Sequence, residues 1–187
     1  MSRVLSFLVV VLLTNKLCAQ EQLPYKEVPQ YPEEFTAGTM ASRMVDALGF
    51  RYYWATDSLT ETHLVFKGNH DGRSIEETIY HIYDLSKIIV NSTLKKPNLR
   101  YRDTLSYNEM RYKTLLNFKI AADILRESDD ISQYKIVFGE REIPFWNQVN
   151  GPIADAIWHC GQIAMNRRTS GNPINPKVNH FSGRLNN

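Results

Sequence analysis

Ser74-Ile75-Glu76-Glu77-Thr78-Ile79-Tyr80-His81-Ile82 opens a stretch that runs to Leu94 and decides the fold class. Its Ser-x-x-Glu beginning is a capping box: the serine oxygen takes the backbone N–H three residues on, and the glutamate reaches back to the serine N–H. Ile75, Ile79, Ile82, Ser86 and Ile89 then recur at spacings of three and four, the period of one helical face. Pro97 lies just beyond the end of this pattern, which predicts a helix over residues 74–94.

Outward from this stretch the same signals return. Ser106-Tyr107-Asn108-Glu109 repeats the capping box, and Met110, Phe118, Ala121 and Leu125 carry a helix over 106–128. Upstream, Met40, Met44, Leu48, Tyr52, Ala55 and Leu59 predict a helix over 39–60, which Gly49 weakens without ending. Downstream, Asn150-Gly151-Pro152 offers an N-cap and a first-turn proline, and Ile153, Ile157, Cys160 and Ala164 give a helix over 151–169 its apolar face before Gly171 and Pro173. Residues 61–73 read as a loop, and Tyr134, Ile136 and Phe138 alternate ahead of Gly139 as in a short hairpin. Residues 20–35, with Pro24, Pro29 and Pro32, form an extended lead-in, and residues 171–187 an irregular C-terminal tail. The expected fold is all-α, a four-helix bundle over residues 36–170 with a short hairpin between its third and fourth helices. The long third connection permits a non-sequential helix order.

Composition narrows the function. Val4–Leu13 is apolar apart from Ser6 and is followed by Asn15, Lys16 and small Ala19, the pattern of a signal peptide over residues 1–19. The run is about half of the roughly 20 apolar residues a membrane span needs, so stable membrane insertion is not expected. A lipoprotein reading through Cys18 is weaker, because Asn15-Lys16-Leu17 lacks the small residues expected before a lipidated cysteine. The expected location is secreted or periplasmic. Without Arg3 and Lys16, 20 basic residues face 20 acidic ones, and this balance argues against nucleic acid as a partner. Cys160 is then the one remaining cysteine, so an apolar core, not an intrachain disulfide, must hold the domain. Phe50-Arg51-Tyr52-Tyr53-Trp54 is apolar on too many sides for one buried stripe, which suggests a homodimer.

Asp155 and His159 stand four residues apart on the last helix, on one face, the spacing at which two side chains reach one ion. A solvated polar face continuing through Gln162 and Asn166 would give the same pattern. His81 borders the apolar face of the second helix, where a lone histidine is ordinarily a satisfied core residue. It would complete a set of two imidazoles and one carboxylate, which leaves open positions on a divalent metal. Glu77, one turn earlier, either takes the other imidazole N–H or only closes the capping box.

The segment Ser74–Ile82, followed far downstream by Asp155-Ala156-Ile157-Trp158-His159-Cys160-Gly161-Gln162-Ile163, resembles the DinB-like superfamily. The likeness covers about residues 36–170. In that family a histidine on the second helix and an H-x-x-x-H pair on the fourth, followed by Gly-Gln-Ile, hold a divalent metal in a four-helix bundle. The resemblance implies that His81 and His159 are ligands and that Asp155 stands where the family has a histidine. A carboxylate there suits zinc, nickel, iron or manganese, so the site either survives with altered metal preference or is a remnant. It also implies a metal-dependent enzyme acting on a small molecule through a metal-activated water. Some members are thiol-dependent transferases or isomerases, but their cosubstrates are mostly cytoplasmic, so export favours a hydrolase or lyase type of step. A non-catalytic binding or structural bundle is the alternative. Pro144-Phe145-Trp146, Arg167-Arg168 and Gly171-Asn172-Pro173 also look familial and read as structural, with Arg168 a conceivable anion contact.

The remaining candidates are poorer. His63 and His70 sit in or beside a loop, and His180 in the tail either is exposed or folds back over the site. Cys160 neighbours His159, but adjacent helical residues point about 100° apart, so a buried, inert thiol is expected. Asn91-Ser92-Thr93 matches a glycosylation acceptor near a helix end.

Overall fold

The computed structural model describes residues 23–68, 71–99 and 101–187; residues 1–19, expected to be a signal peptide, and His70 lie outside the described residues. The chain is mostly helical. Four long helices, α1 (Ala37–Ala55), α3 (Ile75–Thr93), α4 (Tyr107–Arg126) and α6 (Ala154–Thr169), are accompanied by two short ones, α2 (Glu61–Leu64) and α5 (Trp146–Gln148). Two small antiparallel ladders complete the set: β1 (Ile136–Phe138) with β2 (Arg141–Ile143), and β3 (Val178–Asn179) with β4 (Arg184–Leu185). The helices pack in a ring, α1 on α4, α4 on α3, α3 on α6 and α6 on α1. The major neighbours of α1 are therefore α4 and α6 and not α3, the long helix that follows it, which is a non-sequential order.

Local chemistry explains where the helices begin. Ser74 Oγ receives the Glu77 N–H at 3.1 Å and Glu77 Oε2 the Ser74 N–H at 2.7 Å, and Ser106 and Glu109 do the same for α4. The interior is then filled by the expected faces: Leu48, Tyr52, Ile75, Ile79, Ile82, Met110, Phe118, Ala121 and Leu125 are each at most 2% exposed. An ion pair of 2.8 Å between nearly buried Asp46 and Arg126 ties α1 to α4. Burial raises the Asp46 pKa even though Arg126 opposes the rise.

Several expectations need correction. The first helix ends at Ala55, not 60, because Ser58 adopts a left-handed backbone conformation (φ 56°) and turns the chain away. Residues 61–64 form a helical turn where a loop was expected, with His63 Nδ1 accepting the Thr60 N–H at 3.2 Å. Asn150-Gly151-Pro152 does not start the last helix. The chain is already helical at Trp146 and passes into α6 through a wide turn over Val149–Ile153, kinked at Gly151, that accommodates the missing N–H of Pro152. Met40 is half exposed and not on the core face.

The two chain ends are not loose. In the lead-in, Tyr25 packs its ring so closely on Gly49 that an added Cβ would lie 2.5 Å from Tyr25 Cδ2. The tail, expected to be irregular, forms the β3–β4 hairpin, and Gly183 accepts the Val28 N–H at 2.9 Å. Lead-in and tail together cover Phe50 and Trp54 in a small second core with Val28, Ile174, Val178 and Leu185. The aromatic surplus of the first helix, which suggested a homodimer, is thus buried within one chain: Tyr52 faces the main core and Phe50 and Trp54 the second. No described helix is long and apolar enough to cross a membrane.

Candidate metal centre

Packing of α3 against α6 brings His81 to Asp155 and His159. His81 Nε2 lies 3.1 Å from Asp155 Oδ2, His159 Nε2 lies 3.3 Å from Asp155 Oδ1, and the two rings meet edge to face with centroids 4.5 Å apart. One donor atom from each residue falls within 4.8 Å of the other two, so the cluster could hold a metal ion. The side chains are graded in exposure, 11% for His159, 30% for His81 and 43% for Asp155. The wide turn over Val149–Ile153 feeds directly into the helix turn carrying Asp155.

The donor set, two imidazoles and one carboxylate, suits a divalent ion. Ligands about 2.1 Å from a tetrahedral ion stand about 3.4 Å from one another, and here each imidazole lies within 3.3 Å of an Asp155 oxygen, Oδ2 for His81 and Oδ1 for His159, with one donor atom per residue inside 4.8 Å. Gln162 Oε1 lies 2.9 Å from His159 Nδ1, a contact that orients the ring. His159 Nε2 faces Asp155 Oδ1 at 3.3 Å, the direction from which a shared ion would be held. Arg73 Nη1 also approaches the same nitrogen, at 3.5 Å.

Gln162, part of the polar face that was the alternative to a metal site, is the residue that orients His159, at the i, i+3 spacing of neighbours on one helix face. Asn166, assigned to the same face, is buried against Gly68, where a Cβ would come within 2.4 Å of Asn166 Oδ1. Glu77 takes the plainer of its two roles. Its Oε2 is held by the Ser74 N–H and by Lys67 Nζ at 3.2 Å, with the Ser74 backbone bond the larger reason that its pKa is lowered.

Beside the cluster lies an open cleft of about 650 Å³ whose walls include His81, Lys67, Arg73, Glu77, Tyr101 and Arg102. His81 thus belongs both to the cluster and to the cleft wall. The other candidates are placed elsewhere. His180 sits edge-on to Phe50 at 5.8 Å and does not fold over the cluster, and burial, ahead of the nearby Arg51, lowers its pKa. His63 caps α2 and meets Asn172 at 3.1 Å. Cys160 is buried, and burial pushes its thiol up to about 12, far from a reactive thiolate. Ser92 and Thr93 of the glycosylation sequon are buried within α3. Arg168 is exposed, whereas Arg167 is 3% exposed and donates to the carbonyls of Trp54, Ala55, Asp57 and Asn172. No family model matches the chain, and no curated protein or solved structure does.

Proposed function

We propose that this chain is an exported, DinB-like four-helix bundle in which His81, Asp155 and His159 hold one divalent ion, zinc, nickel, iron or manganese. In this reading it is a metal-dependent enzyme of hydrolase or lyase type acting on a small molecule. The observation that carries the reading is the convergence of the three donor atoms within 4.8 Å beside an open cleft. The ion would supply Lewis acidity, polarising a substrate oxygen or acidifying water. The protein's own part is to orient: Gln162 holds the His159 ring, Asp155 spans both imidazoles, and His81 places the centre at the cleft wall.

A second reading has its own observation. Asp155 lies within 3.3 Å of both rings, and Arg73 approaches His159, which is how a self-satisfied polar remnant in a binding or structural bundle would look. Metal analysis of the purified protein separates the two. The enzyme reading expects close to one divalent ion per chain in the wild type and none in His81→Ala or His159→Ala, with unchanged helical content in both variants. A wild type that takes up no metal from a zinc, nickel or manganese solution would leave the remnant.

A further inference from the structure

We propose that the cleft beside His81 binds the oxyanion of a small molecule, a carboxylate or a phosphoryl group, held by Arg73 next to the metal; the inference rests on the metal reading. The argument begins with charge. Two neutral imidazoles and one carboxylate leave a divalent ion with a net charge of +1. Arg73 adds a second positive charge within 3.5 Å of a ligand nitrogen. Two such charges side by side in a partly desolvated corner repel, and an anion shared between them turns the repulsion into attraction.

The other charged groups of the cleft are largely committed. Lys67 is paired with Glu77 at 3.2 Å, and Asp84 with Lys87 at 2.8 Å. Arg102 stacks its guanidinium on the Tyr80 ring at 4.9 Å and faces the same cleft, a second cation for a larger anionic group. Asp71 also lines the cleft, so the walls carry no large excess of positive charge. Selection of an anion therefore depends on where Arg73 stands and not on a diffuse field. Its contact at the cluster is a long one, 3.5 Å to a ring nitrogen, a weak partner compared with a carboxylate. The planar guanidinium fork matches the two oxygens of a carboxylate or phosphoryl group, which a lysine cannot do.

The test uses the full chain loaded with cobalt(II), whose visible absorption reports its coordination. Acetate and methylphosphonate are titrated separately, with acetamide as a neutral isostere of acetate. The expected result is a saturable change in the cobalt bands with either anion and none with acetamide. Arg73→Met should keep the cobalt bands and bind the anions at least about tenfold more weakly, with Arg73→Lys in between. Cobalt bands that ignore both anions, or an anion response that Arg73→Met leaves intact, would overturn the oxyanion site and spare the metal centre. Failure of the wild type to show cobalt bands would overturn both.

Discussion

The two ends of α6 both carry a polar residue where an apolar one would pack more simply, and they solve the problem in opposite ways. At the C-terminal end Arg167 is nearly fully buried, and its guanidinium is satisfied by four backbone carbonyls: two at the end of α1, that of Asp57 just beyond it, and that of Asn172. Those α1 carbonyls are among the groups that a helix terminus leaves without partners, so the arginine serves as a cap supplied by another helix. At the N-terminal end, His159, Asp155 and His81 mostly contact one another, and their exposure rises toward a cleft. The first cluster is spent on the fold. In the second, three donor groups converge beside an open cleft, so interaction capacity is left for a ligand.

This contrast predicts that the two ends fail differently. Arg167→Ala leaves several buried or half-buried carbonyls unpaired, at about 1–3 kcal/mol for each that water cannot reach, so a loss of about 3–5 kcal/mol is expected in chemical denaturation. Zinc binding by the fraction that remains folded should be unchanged. His159→Ala should show the reverse, complete loss of zinc with a metal-free stability within about 1–2 kcal/mol of wild type, since much of that side chain's bonding is to other members of the cluster. Equal stability losses in the two variants would erase the distinction.

Gly49 tests whether equally close packing extends to the outer side of α1, and it also shows what a sequence conceals. By propensity alone, Gly49→Ala in a helix interior should stabilise by about 1 kcal/mol. The Tyr25 ring occupies the space into which the new Cβ would project, and Tyr25 is itself 6% exposed. Overpacking of this kind costs about 1–3 kcal/mol, so net destabilisation in urea is expected. A gain in stability would mean that the lead-in peels off α1 at little cost.

The parts of the fold that were legible rest on local signals. Both Ser-x-x-Glu boxes cap helices, and the apolar faces of α3 and α4 are buried, because capping and periodicity act within a few residues. What escaped was set by distant partners. The reason α1 stops at Ala55 includes Arg167, more than a hundred residues later, and the aromatic run Phe50–Trp54 finds its cover in two chain ends without periodicity. In the candidate centre, the Asp155–His159 pair was readable from helical spacing. The approach of His81 required the packing of α3 on α6, and Arg73 left no signal at all, being a loop arginine before a cap.

Glu77 is the intermediate case between the two ends of α6, and the effect expected there is the smallest. It lines the cleft one helical turn from His81, yet its carboxylate is engaged by the Ser74 N–H and Lys67. These contacts hold its pKa below the ordinary 4.5, the Ser74 bond first and Lys67 next. A carboxylate whose folded pKa is depressed stabilises the protein above its unfolded pKa and loses that contribution as pH falls through the folded value. The stability difference between wild type and Glu77→Gln should therefore be small and present at pH 7, shrink as the pH drops below about 4.5, and vanish once both states are protonated. Metal affinity at neutral pH should be the same in both proteins, because the carboxylate belongs to the cap. If Glu77→Gln instead weakened zinc binding at pH 7 by more than about tenfold, as loss of a group orienting a ligand does, Glu77 would have to be assigned to the metal centre through His81.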